Sequence, residues 1–153
     1  MKQKAKEMMM WLVPGIFIFV LDRLFKIWFR DVDIALIPGV LALRSAKNTG
    51  MAMGLFSGNA ALLLVASVVV VALCLFLLRK YRVSGLARLS LSLIAGGALG
   101  NMVDRLFLGY VIDMIDVECI RFYIFNVADI GVVCGAMLCG VSLLFRPEDW
   151  SNK

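Results

Sequence analysis

Residues 60–78 read AALLLVASVVVVALCLFLL, a stretch that contains no charged side chain. A transmembrane helix needs roughly 20 consecutive apolar residues. This stretch therefore predicts a helix that crosses a lipid bilayer. The whole chain of 153 residues is 62% hydrophobic, which is more apolar side chain than a soluble core of this size would need. The sequence indicates a membrane protein.

Three further stretches are long and apolar enough to cross a bilayer as helices. Together with residues 60–78 they predict an all-α membrane protein, a bundle of four transmembrane helices in a single domain, 1–153. Gly96 and Gly100 in one stretch, and Gly131 and Gly135 in another, are spaced so that helices can approach closely. The three stretches are Met8–Phe29, Leu86–Leu108 and Ala128–Phe145.

The first stretch begins like a secretory signal peptide, with lysines ahead of an apolar run. No A-x-A-type cleavage site follows, and the charged residues Asp22, Arg23 and Lys26 come instead. We interpret it as a retained first span.

Lysine and arginine residues predict the orientation of the spans. They precede the first span, flank the turn between the second and third, and follow the fourth at Arg146. Because cytoplasmic loops carry an excess of these residues, we expect both termini in the cytoplasm and residues 30–59 and 109–127 on the outer side. The net charge of +5 is then mainly a topology signal, and nucleic-acid binding is not expected.

The first outer segment has an extended pattern at Val40–Arg44, between Pro38-Gly39 and the glycines at 50, 54 and 58. We expect a small extracytoplasmic β-like segment on the membrane surface. The second outer segment, Tyr110–Phe125, alternates loosely between apolar and polar residues and is expected to be partly extended.

The chain contains no histidine, which excludes Ser-His-Asp and Cys-His catalysis and histidine-rich zinc sites. Three of the four cysteines fall in predicted spans, and no C-x-x-C pattern exists. We expect packing roles for the buried cysteines, and neither a metal nor a cofactor.

Several carboxylates lie between the last two spans. Asp129 is about 25 Å along a helix from the cytoplasmic Arg146, at 1.5 Å per residue, which places it at the outer edge of the membrane. Asp113 lies near the same boundary, but spacing alone does not choose it over Asp116 or Asp104 as the partner of Asp129. Two acids in one site share a proton, the arrangement that aspartic proteases use. We expect Asp116 and Glu118 to be loop residues in water.

Polar side chains on the last two spans are candidates for assisting such a pair. Asn101 and Arg105 lie at positions i and i+4 on one helix face, from which they can orient an aspartate or hold substrate carbonyls; pairing of Arg105 with Asp104 or with a carbonyl is the structural alternative. Asn126 precedes Asp129 by three residues and can contact substrate or simply cap the helix.

Asp22 and Lys26 are also spaced at i and i+4, which predicts a structural ion pair within the first span. A second hypothesis is a small proton-coupled transporter, in which Asp129, Asp22 and Lys26 form a relay across the bilayer. A third is a membrane scaffold without enzymatic activity, in which the outer acids are dispensable.

Asn48 could be only a turn former by its surroundings. Five stretches carry a further signal: DRLFK at 22–26, NTGMAMG at 48–54, GNMVDR at 100–105, GYVIDMIDV at 109–117 and FNVAD at 125–129. In this order they resemble the bacterial lipoprotein signal peptidase family (signal peptidase II), and the resemblance covers essentially the whole chain. Met53 stands where the family commonly has an aromatic residue.

The resemblance implies an intramembrane aspartyl endopeptidase whose catalytic pair is Asp113 and Asp129. It also implies that Asn48 reaches the active site, and that the substrates are diacylglyceryl-modified prolipoproteins, cut before the lipidated cysteine. The expected location is the bacterial inner membrane, among its lipids, with the active site near the outer face, and we expect a monomer. Which aspartate holds the shared proton stays open, because a coupled pair titrates as a unit.

Overall fold

The structure is a computed structural model that describes residues 2–50, 58–120 and 122–152. Residues 51–54 of the NTGMAMG stretch, and therefore the interpretation of Met53, lie outside the described residues. The helices are α1 (Lys2–Trp28), α2 (Ala60–Lys80), α3 (Gly85–Leu108) and α4 (Val127–Phe145). The strands are β1 (Asp33–Ile37), β2 (Leu41–Asn48), β3 (Tyr81–Val83), β4 (Val111–Asp116) and β5 (Trp150–Asn152).

Helices α2, α3 and α4 are long and apolar enough to cross a membrane, with mean hydropathies of 3.2, 1.3 and 2.1. They confirm three of the predicted spans to within two residues at either end. The predicted first span, Met8–Phe29, lies in α1 except for its last residue, and the crossing of the membrane by this helix of 27 residues stays a prediction.

Helix α3 is the centre of the bundle. Half of its most apolar segment is buried inside the protein, compared with 11% for α2, whose side chains mostly face outward. Glycines make the close packing possible, because a Cβ atom at Gly96 would lie 2.2 Å from the carbonyl oxygen of Gly15 in α1. A Cβ atom at Gly97 would lie 2.3 Å from the carbonyl oxygen of Ala128 in α4. The small residues thus fix the separation of α3 from both neighbouring helices.

A three-stranded antiparallel sheet in the order β1-β2-β4 covers one end of the bundle. It confirms the predicted β-like segment and includes the Val40–Arg44 stretch in part. Its strand β2 pairs Leu43 with Ile115 and Ala46 with Asp113, so the register shifts between these pairs. Such a bulge adds a residue to one strand and bends it. Here it lies next to Asp113.

A second sheet joins β3 to β5 at the opposite end of the bundle, where no strand was predicted. The buried carboxylate of Asp149 connects this end to α3: Oδ1 accepts from the hydroxyl of Ser84 at 2.9 Å, and Oδ2 accepts from the backbone N–H of Leu86 at 3.0 Å. These N–H groups at the start of a helix have no partner within the helix. The C-terminal segment therefore caps α3.

Candidate active site

Asp113 lies in β4 with only 2% of its surface exposed. Its Oδ2 accepts a hydrogen bond from Asn48 Nδ2 at 2.8 Å, and its Oδ1 accepts one from Asn126 Nδ2 at 2.6 Å. Antiparallel pairing places Asp113 opposite Ala46 of β2, the strand that ends at Asn48. The carboxylate is thus held from two different elements.

Asp129 lies in the first turn of α4 and is part of a capping box with Asn126. The Oδ1 atom of Asn126 accepts from the backbone N–H of Asp129 at 2.9 Å, while Oδ2 of Asp129 accepts from the backbone N–H of Asn126 at 3.1 Å. The second oxygen of Asp129 accepts from Asn101 Nδ2 at 2.7 Å. Because a capping box fixes both side chains to the backbone, the start of α4 sets the direction of this carboxylate.

Asn126 connects the two carboxylates, which we call the aspartate pair: its side-chain Nδ2 donates to Asp113, and its backbone N–H donates to the carboxylate of Asp129. Both aspartates also line one cavity of about 890 Å³. Polar groups form one part of its wall, and apolar side chains of α2 and α4 form much of the rest. The lining includes Asn48, Asn101, Arg105, Leu63, Ala66, Val70, Phe122, Tyr123, Ile130 and Val133.

Burial raises the pKa of Asp113 to about 6, and the nearby charge of Asp129 acts in the same direction. The hydrogen bonds from Asn48 and Asn126 oppose this rise because they favour the ionised form. A carboxyl group with such a pKa binds and releases a proton near neutral pH. The site can therefore hold one proton on a pair of acids.

Arg105 and Asn48 shape the chain next to the pair. Arg105 Nη2 donates to the carbonyl oxygen of Gly50 at 3.1 Å, and Asn48 Oδ1 accepts from the N–H of Gly50 at 2.9 Å. Of the two structural partners suggested for Arg105, the structure shows the carbonyl. Asp104 contacts other cations instead.

The expected ion pair between Asp22 and Lys26 measures 3.0 Å, but it belongs to a larger group. We call Asp22, Arg23, Lys26 and Asp104 the buried ion cluster. Arg23 contacts Asp22 at 2.7 Å and Asp104 at 2.6 Å, and Lys26 contacts Asp104 at 2.8 Å. Asp22, Lys26 and Asp104 are each at most 2% exposed. The roles of Arg23 and Asp104 in this cluster were not predicted from the sequence, although Arg23 lies in the DRLFK stretch and Asp104 in the GNMVDR stretch.

The buried ion cluster also binds the backbone beside each aspartate. Oδ1 of Asp22 accepts from the N–H of Ala128 at 3.0 Å, one residue before Asp129. Oδ2 of Asp104 accepts from the N–H of Ile112 at 3.2 Å, one residue before Asp113. The cluster therefore fixes α4 and β4 to α1 and α3.

The prediction that Asp116 and Glu118 are loop residues in water was wrong. Asp116 ends β4, is 8% exposed, and accepts from Arg44 Nη1 at 2.6 Å. Glu118 accepts from the same guanidinium group at 3.1 Å. The β-branched residues Val111, Ile112 and Ile115 were the signal that could have placed Asp116 in a strand. Arg44 holds these acids together at a distance from the aspartate pair.

Solved structures resemble this fold. One described as a bacterial membrane enzyme has a TM-score of 0.83 and 26% sequence identity, and the match covers 88% of this chain and 87% of that chain. A second with the same description has a TM-score of 0.75 and 25% identity, covering 90% of this chain and 94% of the other. The fold of this chain is therefore similar to that of solved bacterial membrane enzymes.

Sequence comparison gives the family. A family model described as signal peptidase (SPase) II matches residues 15–145. The lipoprotein signal peptidase of Lactobacillus johnsonii is 36% identical over 152 residues, covering 95% of this chain and 97% of the relative. That of Clostridium acetobutylicum is 38% identical over 143 residues, covering 88% of this chain and 93% of the relative. The chain belongs to the signal peptidase II family, which confirms the resemblance found in its motifs.

Proposed function

We propose that this chain is an aspartic endopeptidase that removes the signal peptide from diacylglyceryl-modified prolipoproteins, cutting before the lipidated cysteine. One observation carries the proposal: Asp113 and Asp129 share Asn126 and line the same cavity. The names of the relatives supply the substrate class, since they are lipoprotein signal peptidases.

In the proposed reaction, a water molecule lies between the two aspartates. The ionised aspartate takes a proton from this water, whose oxygen forms a bond to the scissile carbonyl carbon. The protonated aspartate gives its proton to the carbonyl oxygen, which produces a neutral tetrahedral diol. When the diol collapses, the C–N bond breaks, the first aspartate protonates the leaving amine, and a diol hydroxyl returns a proton to the second. All proton transfers in this sequence use the aspartate pair and water.

Amide donors prepare the pair for this reaction. Asn48 and Asn126 direct N–H groups at Asp113, and Asn101 directs one at Asp129. These bonds hold the carboxylates in place without neutralising them, as a salt bridge would. We propose that Asn48 also contacts the peptide backbone of the substrate and that Arg105 holds a substrate carbonyl when the cavity is filled.

The apolar side of the cavity suits the lipid part of the substrate. The apolar residues Leu63 and Val70 of α2, and Ile130 and Val133 of α4, line this side. Diacylglyceryl chains can lie there while the peptide bond reaches the carboxylates. We propose four transmembrane helices in the bacterial inner membrane, both termini in the cytoplasm, and the aspartate pair near the outer face.

Incubation of the purified protein with a diacylglyceryl-cysteine signal-peptide substrate tests the proposal. We expect cleavage before the lipidated cysteine and its loss in both Asp113→Asn and Asp129→Asn, with folding retained. Asp116→Asn is the matched control, because Asp116 lies three residues from Asp113 on the same strand and pairs with Arg44. Full activity of either pair variant would contradict the dyad. Dissipation of a pH gradient in proteoliposomes without cleavage would favour the transporter instead.

A further inference from the structure

Lys26 is the cation of the buried ion cluster that contacts Asn101, an amide donor to Asp129. Its ammonium group, on a side chain 2% exposed, contacts Asp22 at 3.0 Å, Asp104 at 2.8 Å and Asn101 Oδ1 at 3.0 Å. An ammonium group has three N–H donors and no acceptor. Its three contacts therefore use its whole donor capacity.

The contact with Asn101 determines which way its amide faces. Because Lys26 only donates, the amide atom that faces it must be the oxygen, and the nitrogen must point to the other side. That nitrogen donates to Oδ1 of Asp129 at 2.7 Å. With the amide reversed, two donors would face each other at Lys26 and two acceptors at Asp129.

Asn126 supports the same orientation less strongly. Its Nδ2 donates to Asn101 Oδ1 at 3.1 Å, but the same nitrogen also donates to Asp113 at 2.6 Å. The hydrogen bond from Lys26 is charge-assisted, and such bonds are roughly twice as strong as neutral ones.

We infer that Lys26 is a positioning residue for the reaction: through Asn101 it holds one N–H donor on Asp129, beyond its structural ion pair with Asp22. The inference rests on the proposed function, since it takes Asp129 as a member of the catalytic pair. Without the cation, Asn101 rotates or reverses, and Asp129 loses a hydrogen bond that fixes its geometry. Misplacing a catalytic group by about 1 Å can lower a rate about 100-fold.

The test is a double-mutant cycle in kcat, using the lipidated signal-peptide substrate. We expect Asn101→Ala and Lys26→Met each to lower kcat by about 10 to 100-fold with little change in KM, because both act on Asp129. In the Lys26→Met background, Asn101→Ala should cost at least about fivefold less than it does in the unmodified protein.

Arg23→Met is the matched control. Arg23 contacts the same two carboxylates as Lys26, at 2.7 and 2.6 Å, but its hydrogen bonds within the described residues include none to Asn101. A purely structural role of the cluster would make both cations behave alike. We therefore expect Asn101→Ala to cost its full factor in the Arg23→Met background.

Losses that multiply in the Lys26→Met, Asn101→Ala protein would overturn the inference, as would the same coupling in the Arg23 control. If Lys26→Met does not fold, the cycle is repeated in an Asp22→Asn background, which removes one of the two carboxylates that Lys26 neutralises, and the same comparison decides. If the losses in the cycle multiply and the Asp129→Asn protein is inactive, only the role of Lys26 is refuted. An active Asp129→Asn protein would refute the dyad itself.

Discussion

The buried ion cluster and the aspartate pair lie side by side, yet their carboxylates have different partners. Asp22 and Asp104 contact the cations Arg23 and Lys26 directly. The hydrogen bonds described for the aspartate pair come instead from amide groups of Asn48, Asn101 and Asn126. A cation keeps a carboxylate ionised, whereas a neutral donor in a buried site leaves it able to bind a proton. The first arrangement stabilises the fold, and the second makes acid–base chemistry possible.

The largest effect should follow from Asp104→Asn. This change leaves Arg23 and Lys26 buried with one carboxylate fewer, and breaking a buried ion pair typically costs about 3 to 5 kcal/mol. Thermal unfolding in detergent should show a corresponding loss of stability. A change below about 1 kcal/mol would mean that the buried ion cluster does not stabilise the fold and does not differ from the aspartate pair in this respect.

Asp113 should make the free energy of unfolding depend on pH. Its pKa is raised in the folded protein to about 6, so the stability it contributes is complete below about pH 4 and is lost as the pH rises through 6. Between pH 4 and 7 we expect the free energy of unfolding of the unmodified protein to fall by about 2 kcal/mol more than that of Asp113→Asn. An identical pH dependence in both proteins would contradict the assignment. The measurement is the unfolding midpoint at each pH.

A smaller effect on stability is expected for Asn126→Ala, which removes the capping box of α4. Loss of an asparagine cap costs about 1 kcal/mol. Cleavage should fall much further, because the Asp113 carboxylate loses a donor and the backbone N–H of Asp129 loses its acceptor. Asn59→Ala is the matched control, since Asn59 stands at the same position of α2 but makes no side-chain capping bond. Equal unfolding temperatures for the two variants would show that the cap contributes nothing.

The smallest effect is expected for Asp33→Asn, in the most exposed ion pair that Arg44 makes. The side chains of Arg44 and Asp33 are 43% and 72% exposed, and pairs this exposed contribute little to stability. Arg44 stays paired with the buried Asp116. Adding salt should reduce the difference between variant and unmodified protein. A loss as large as that of Asp104→Asn would mean that burial does not distinguish the two ion groups.

Long apolar runs predicted three helices closely, because the bilayer sets a minimum length that 60–78 and its counterparts meet. The aspartate pair was harder to predict from the sequence. Spacing put Asp129 at the membrane edge but left Asp104 and Asp116 as possible partners, and only the resemblance selected Asp113. Partners of a carboxylate come from packing: Arg23 lies 81 residues from Asp104, and Arg44 lies 72 from Asp116. The short strands β3 and β5 were missed because three residues are too few to show a period.

The capping box also limits how many residues the first turn of α4 can contain. An α-helix turns by about 100° per residue, so inserting one residue between Asn126 and Asp129 would swing the carboxylate to another face and leave the first turn without its reciprocal bonds. Lengthening α4 at its far end would do neither. The capping box therefore fixes the number of residues between Asn126 and Asp129, while an insertion near Phe145 would move the segment in which Asp149 caps α3.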